Sequence, residues 1–263
     1  MRFDNFLTEG RSKVISEKEF KDLFKKNCLE THYLGPEIYR GTDNSNPFLY
    51  VNPSLSERKS PYATNQIYML LLSNMPSWNM YPRRNRSLAC SSSKEKANGY
   101  GTNMYIVFPY NQANIGVSPT DDIWYCTDKK FHITLNDINY NIEDIIYFAI
   151  GKSIQRDIKY EALLKIFSEV DEFKIRDRRG YNSEFQKLTI GAQEFFEDIG
   201  YDKPKTKLFD CLNKELSPDE LGFKRTTTGH PILNKAEVWT DSECLLVEYR
   251  YYYRNLIKIL DEI

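Results

Sequence analysis

The sequence is poor in the residues that bind metals and form disulfide bonds. Its 263 residues include three histidines and five cysteines. The cysteine number is odd, no two cysteines form a CxxC pair, and no HExxH motif occurs. These absences argue against a zinc site, a disulfide framework and metal catalysis, and they favour a reducing compartment.

The sequence also lacks long apolar runs and a strong charge imbalance. No apolar run approaches the roughly 20 residues of a membrane-spanning helix, and residues 1–10 hold no apolar signal-peptide core. The formal net charge is −1, whereas nonspecific nucleic-acid binders carry a basic excess. The basic segment Arg83, Arg84 and Arg86 predicts a solvated turn, with target binding as the alternative. We therefore expect a globular protein with no membrane partner.

Helix and strand signals are spread along the chain. Ser16, followed by Glu19, predicts the start of a first helix through a capping box. Gly151 is predicted to break the helical stretch 135–173, and the charged segment 174–183 is predicted to be a loop. Strands are predicted at 37–41, 47–51, 86–91, 104–109, 235–239 and 244–247, and further helices at 62–74, 94–98, 184–199, 204–215 and 250–263. Strands towards both ends with helices between them predict an α+β fold.

Three motifs stand in a fixed order within this pattern. The first is Tyr39–Gly41, which ends the strand 37–41 with an aromatic residue, an arginine and a glycine. The second is the serine-containing strand and short helix Ser87–Ala97, followed by Gly99 and Tyr100. The third is a glutamate strand, Ala236–Trp239, then a turn and a further strand. In this order they resemble the mono-ADP-ribosyltransferase family of the arginine–serine–glutamate class over roughly residues 37–250.

The resemblance implies a fold and a domain organisation. The fold is α+β, a mixed two-sheet ADP-ribosyltransferase-like core with a helical insertion at about 135–215 and terminal helices. Residues 10–263 then form a single domain. The insertion lies outside the part that the resemblance covers, so its role stays open.

The resemblance also implies a chemistry, in which NAD is the substrate and no metal takes part. Arg40 would pair with an NAD phosphate through its planar fork of donors. Ser91, with Ser87 as the next choice, would orient the catalytic glutamate. Glu237 would hold a ribose hydroxyl and stabilise the positive charge that develops on the sugar.

Two further residues complete the expected NAD site. Gly41 would let the backbone approach the nicotinamide amide, where a side chain would obstruct it. Tyr100 would stack near the nicotinamide, and a place in the core is the equal alternative for it.

The sequence departs from the family pattern at several positions. Aligned on Ala97, the chain has Ala89 and Cys90 where the family has serine and threonine, so Ser91 alone matches. Glu237 has the family-like surroundings, and Glu243, in an acidic turn, is the alternative catalytic glutamate. Lys235 stands two residues before Glu237, where family members that modify arginine carry an acid. With Glu237 as the catalytic residue, a different acceptor, including a nucleotide base, is therefore favoured; the alternative, Glu243, keeps an acid two residues before it, at Asp241.

The N-terminus carries a second resemblance. Leu7-Thr8-Glu9 is similar to the sites at which the head proteases of large contractile-tailed phages remove a short leader. Residues 1–9 would then be a cleaved capsid-targeting leader, with the phage head protease as a partner. The protein would be held in the virion interior and delivered to the host bacterial cytoplasm, where it would modify a host protein or nucleic acid.

Two other functions stay open at this point. The first is a non-catalytic packaged head protein that kept a degenerate NAD-binding fold. The second is a nuclease or nucleic-acid-binding phage effector that does not use NAD.

Overall fold

The computed structural model describes residues 12–34, 37–55, 57, 66–176, 178–230, 232, 235–256 and 260. The predicted leader at 1–9 and the predicted start of a helix at Tyr62 lie outside these residues. The fold is mixed α and β, and its described strands form one antiparallel sheet.

The described strands are β1 (Ser12–Val14), β2 (Ile38–Thr42), β3 (Phe48–Val51), β4 (Leu88–Ser91), β5 (Asn103–Pro109), β6 (Asn114–Val117), β7 (Lys224–Thr227), β8 (Glu237–Thr240) and β9 (Cys244–Glu248). The described helices are α1 (Glu17–Asn27), α2 (Leu29–Leu34), α3 (Ile67–Asn74), α4 (Lys94–Asn98), α5 (Asp128–Phe131), α6 (Leu135–Ile150), α7 (Tyr160–Arg176), α8 (Arg178–Phe185), α9 (Ile190–Asp198), α10 (Leu208–Glu215), α11 (Pro218–Leu221) and α12 (Tyr249–Tyr251). A π-helical turn, Tyr252–Leu256, follows α12.

The chain divides into two compact units. One consists of Met1–Arg58, Met80–Asp122 and Phe223–Ile263 and holds the whole described sheet. The other consists of Lys59–Asn79 and Ile123–Gly222 and is helical. The helical unit is therefore larger than the predicted insertion at 135–215, because it also takes in α3.

The described sheet has the strand order β1-β3-β9-β5-β2-β4-β8-β6-β7. The expected two-sheet core is not confirmed in the part of the chain that the structure describes, because β2 pairs on one side with β5 and on the other with β4. The pairing of β2 with β4 aligns one residue pair, Tyr39 with Ser91. In contrast, β2 and β5 align over five pairs. A five-strand part and a four-strand part of one sheet thus meet at Tyr39 and Ser91.

The two faces of the sheet bury different sets of side chains. Alternate residues of a strand point to opposite faces. Tyr39 belongs to the cluster that packs under α1 around Phe20 and Phe24. Ile38 and Cys90 belong to the cluster on the opposite face. A residue's position along its strand therefore decides which cluster it joins.

Local signals position the elements around the sheet, and the cap at Ser16 is confirmed. The Ser16 hydroxyl accepts a hydrogen bond from the Glu19 amide at 3.1 Å and caps α1. Ser93 caps α4 by accepting from the Lys96 amide at 3.4 Å, and Gly99 follows the helix. Short polar side chains at these positions bind the first backbone N–H groups of a helix, which have no partner within it.

In the helical unit, Gly151 ends α6 as predicted. It adopts a φ of 67°, the left-handed conformation that glycine takes up without strain. Thr134 begins the same helix with a capping box in which it and Asp137 each bind the other's backbone amide. These two caps define the 16-residue helix at the centre of the unit.

The loop predicted at 174–183 is wrong, because α7 extends to Arg176 and α8 begins at Arg178. The charged side chain of Lys174 is buried and donates to the carbonyl of Tyr201 and, at 3.0 Å, to the hydroxyl of Thr206. Its ammonium group also lies 3.8 Å from the centre of the Tyr201 ring. Tertiary partners stabilise a helix here in a segment that charge alone marks as solvated.

Within the described residues, no helix combines the length and the apolar character needed to cross a lipid bilayer.

Candidate functional site

Three predicted positions lie in one row across the sheet. Tyr39 of β2 aligns with Ser91 of β4, and Ser91 aligns with Glu237 of β8. Directly opposed residues of antiparallel strands place their side chains on the same face. Ser91 and Glu237 are therefore cross-strand neighbours, and Tyr39 continues the row on the other side of Ser91.

Glu237 is held by a buried ion pair with Arg84. The Nη2 atom of Arg84 donates to Oε1 of Glu237, and the two side chains are 2% and 11% exposed. The prediction of a solvated turn is wrong for Arg84, although Arg83 and Arg86 are exposed. The ion pair joins residues 153 positions apart, so no local pattern could reveal it.

The aromatic ring of Trp239 fixes the Arg84 side chain. Its ring lies 5.3 Å from the guanidinium carbon, within the range of a cation–π contact. The indole N–H of Trp239 donates to the carbonyl of Pro82 at 2.9 Å, and the Arg83 amide donates to Asp241 at 3.2 Å. The segment that carries Arg84 is thus attached to β8 and to the turn that follows it.

Two nitrogens of Arg84, Nε and Nη1, are buried and have no hydrogen-bond partner among the residues that the structure describes. A buried donor without a partner costs about 1–3 kcal/mol. The Arg84 guanidinium therefore binds Glu237 through Nη2, and its Nε and Nη1 donors are left without a described partner.

Arg40 lies one residue beyond Tyr39, on the opposite face of the strand. Its Nη1 atom donates to the carbonyl of Ala89, so a side chain joins β2 and β4 where their alignment has ended. Burial lowers the pKa of the Arg40 guanidinium, Cys90 and Glu237 oppose this shift, and Arg84 adds to it. The Nε atom of Arg40 is buried without a hydrogen-bond partner in the described part of the chain.

The two candidate serines take part in turns. The Ser91 hydroxyl accepts from the Ser93 amide at 3.0 Å, and this hydrogen bond shapes the turn into α4. The Ser87 hydroxyl donates to the Arg84 carbonyl at 2.9 Å, so it supports the turn that presents Arg84. The hydrogen bond found for Ser91 runs to this turn and not to Glu237.

Tyr100 lies near the glutamate. Burial raises the pKa of the Tyr100 hydroxyl, and the nearby charges of Asp122, Glu237 and Asp121 raise it further. Tyr100 is half-buried. It is therefore both part of the packing and close to the candidate site.

Gly41 is needed for packing. A Cβ at this position would collide with the carbonyl oxygen of Ala97 and would lie 3.0 Å from the amide nitrogen of Gly101. The end of α4 thus fills the space that a side chain at Gly41 would need. Gly41 allows this helix to lie directly on β2.

Glu243, the alternative glutamate, lies in the turn between β8 and β9. It accepts from the side-chain amide of Asn52 at 3.2 Å and raises the pKa of Tyr50, after the larger effect of burial. Neither contact involves a predicted site residue. The row with Ser91 contains Glu237 and not Glu243.

A cluster of tyrosines surrounds Lys94 near the Tyr39 end of the row. The Lys94 ammonium donates to the Tyr249 hydroxyl at 2.7 Å and lies 4.8 to 5.7 Å from the ring centres of Tyr39, Tyr249 and Tyr253. The hydroxyls of Tyr39 and Tyr253 both donate to Glu37. We call these five residues the tyrosine cage. The sequence showed the tyrosines but gave no signal that a lysine lies among them.

A search of the described residues finds no group of three or more histidine, cysteine, aspartate or glutamate side chains that could hold a metal ion. Comparison with protein-family models, curated proteins and solved structures finds no match to this chain. The candidate site therefore rests on its own geometry. It consists of a buried, cation-paired carboxylate, a neighbouring serine and a nearby tyrosine.

Proposed function

We propose that the protein is an NAD-dependent mono-ADP-ribosyltransferase that modifies a host macromolecule. The observation that carries the proposal is the alignment of Ser91 with Glu237 on neighbouring strands, with the strand of Arg40 next to them. Three motifs that are far apart in the chain thus lie on three adjacent strands, β2, β4 and β8.

The chemistry requires an anion next to the reacting sugar. The bond between nicotinamide and ribose breaks, and nicotinamide leaves with the bonding electron pair. The Glu237 carboxylate accepts a hydrogen bond from a ribose hydroxyl and stabilises the positive charge on the sugar. A lone pair of the acceptor then forms the new bond to the sugar carbon, and the acceptor loses its proton to solvent.

Arg40 would bind a phosphate of NAD, although it points to the face opposite Glu237. The alignment of β2 with β4 ends at Tyr39, so the dinucleotide would pass around this end of the paired strands. The buried Nε atom of Arg40, which has no described partner, offers a donor for a phosphate oxygen. Tyr100, whose pKa is influenced by Glu237, would be the aromatic residue that contacts the nicotinamide.

The acceptor is expected to be a group other than arginine. Lys235 stands where arginine-modifying members of the family carry an acid, and it is exposed and 3.6 Å from Glu95. A different protein side chain or a nucleotide base fits this arrangement.

If the leader is cleaved, the mature protein in the virion begins at Gly10, which mass spectrometry of phage particles would detect.

A second candidate function is that of a packaged head protein without catalysis. Two observations favour it: Arg84 neutralises Glu237, and the Ser91 hydroxyl is engaged by the Ser93 amide. Such a protein would retain the strands of the fold but release no nicotinamide.

Labelled NAD distinguishes the two functions. The protein is incubated with labelled NAD and a bacterial lysate, and NAD binding is measured separately by calorimetry. We expect label transfer by the natural protein and by Glu243→Gln, and none by Glu237→Gln. Both variants exchange a carboxylate for an amide of the same shape, at positions six residues apart, on β8 and in the turn that follows it. Absence of both NAD binding and label transfer would reject the enzyme.

A further inference from the structure

Arg84 has a different environment from the two other arginines of its turn, because its side chain is buried. Arg86 is 45% exposed and lies 3.3 Å from Glu57 on the surface, and Arg83 is exposed. Arg84 alone of the three turns inward onto the candidate glutamate. A basic turn with one buried member is not explained by solubility, since a solvated arginine serves that purpose without loss of hydration.

A contribution to stability does not explain why Arg84 is buried either. A buried ion pair loses the hydration of both charges, and apolar residues of similar volume are often at least as stabilising. Arg84 additionally leaves Nε and Nη1 without described partners. A side chain selected for stability alone would not combine a buried charge with two unused donors.

The contacts of Arg84 restrict how Glu237 can move. A guanidinium group is planar and rigid, and it is oriented here by the ring of Trp239, which is itself attached to the Pro82 carbonyl. The backbone of Glu237 is held as well: its amide donates to the Thr120 carbonyl at 3.0 Å. Both ends of the glutamate are therefore fixed.

We propose that Arg84 is the positioning residue of the site, which holds the Glu237 carboxylate in one orientation for the reacting sugar. This inference rests on the proposed ADP-ribosyl transfer and adds a residue to it. Arg84 acts through Glu237. Catalytic groups must be held in place by neighbours that are themselves locked by packing, and Trp239 supplies that lock.

The test uses nicotinamide release from NAD in water, which needs no acceptor, and it measures kcat and KM. Arg84→Gln is expected to lower kcat by about 100-fold, the loss typical of removing one preorganised electrostatic contact. KM for NAD should change by less than about threefold, since a residue acting on the transition state alone leaves binding intact. Arg84→Lys keeps the charge but not the planar fork, and should give an intermediate kcat. Arg86→Gln, the matched control in the same turn, should equal the natural protein.

Chemical rescue separates positioning from a merely structural role. Guanidinium ion at millimolar, non-denaturing concentration should restore part of kcat to Arg84→Ala and none to Glu237→Gln. Calorimetry gives the fraction of molecules that bind NAD, so kcat is counted per folded site. If Arg84→Gln misfolds, Arg84→Lys decides, because it keeps a cation on Glu237.

Each outcome has one meaning. A natural protein that neither releases nicotinamide in water nor transfers label from NAD to the lysate overturns the proposed function and Arg84's role with it. An active natural protein with unchanged kcat in Arg84→Gln, or in a well-folded Arg84→Lys that stands in for it, overturns the role of Arg84 alone. A rise in KM with unchanged kcat also overturns the role of Arg84. So does a failure of guanidinium ion to restore kcat to Arg84→Ala.

Discussion

Replacing Gly41 with alanine tests whether this glycine serves packing or the ligand. The added Cβ would collide with the Ala97 carbonyl oxygen and lie 3.0 Å from the Gly101 nitrogen. Both atoms belong to the backbone, so neither can rotate away, and α4 would have to move off β2. We therefore expect Gly41→Ala to lower the free energy of unfolding in the absence of any ligand.

The magnitude follows from two opposing effects. Overpacking a well-filled site typically costs about 1–3 kcal/mol. Alanine recovers about 0.4–1 kcal/mol by restricting the unfolded chain. The net loss should be about 1–2 kcal/mol, which lowers Tm by roughly 2–8 °C for a domain of this size.

Chemical denaturation followed by circular dichroism measures this loss. Gly191→Ala is the matched control, because Gly191 lies in α9 and nothing lies within 4 Å of an added Cβ. It should gain about 0.5–1 kcal/mol from helix propensity. An unchanged or higher stability in Gly41→Ala would refute the packing argument. It would return Gly41 to a ligand role, with weaker NAD binding as the sign.

Two further predictions concern charges on the sheet unit. The side-chain hydrogen bonds of Glu17, to Lys21 first and also to Tyr251, lower its pKa below the ordinary value of 4.5. The contribution of Glu17 to stability is thus present above pH 4.5 and lost as the pH falls through the lowered pKa. Glu17→Gln should therefore lower the free energy of unfolding at pH 7 by less than about 1 kcal/mol. At pH 2 the two proteins should be equally stable in urea titrations, and an equal loss at both pH values would contradict the linkage. Lys94→Met should lower the free energy of unfolding by about 0.5–2 kcal/mol, because it removes the cation–π contacts of the tyrosine cage. Lys96→Met, a control on the same helix, should lower it by less. Equal losses in the two variants would show that the cage adds no stability.

Much of the fold could be predicted because its signals are local. Ser16, Ser93 and Gly151 act on the backbone within a few residues, so their sequence neighbours suffice to identify them. The strands β6 and β7 are absent from the sequence-based prediction, because their pairing depends on strands far away in the chain. The edge strand β7, Lys224–Thr227, is polar and mostly exposed, and it has no apolar alternation to reveal it.

The candidate site was predictable in its residue types and order, but not in its contacts. Motif order indicated that Ser91 and Glu237 belong together, and the structure places them opposite each other. Which face Arg40 occupies depends on register, and a shift of one residue reverses it. The pairing of Arg84 with Glu237 depends on the complete sheet, since 153 residues separate the partners.

The division of the helical unit into two chain segments has a consequence for synthesis. Helix α3 leaves the ribosome well before α6, against which its Tyr68 amide binds Asn139 at 2.9 Å. Six of its eight residues are buried in the finished protein. About 60 residues separate the two helices, so at roughly 5–20 residues per second α3 waits several seconds for its partner. During that interval the nascent chain exposes a strongly apolar segment, and we expect residues 67–74 to be a binding site for chaperones on the nascent chain.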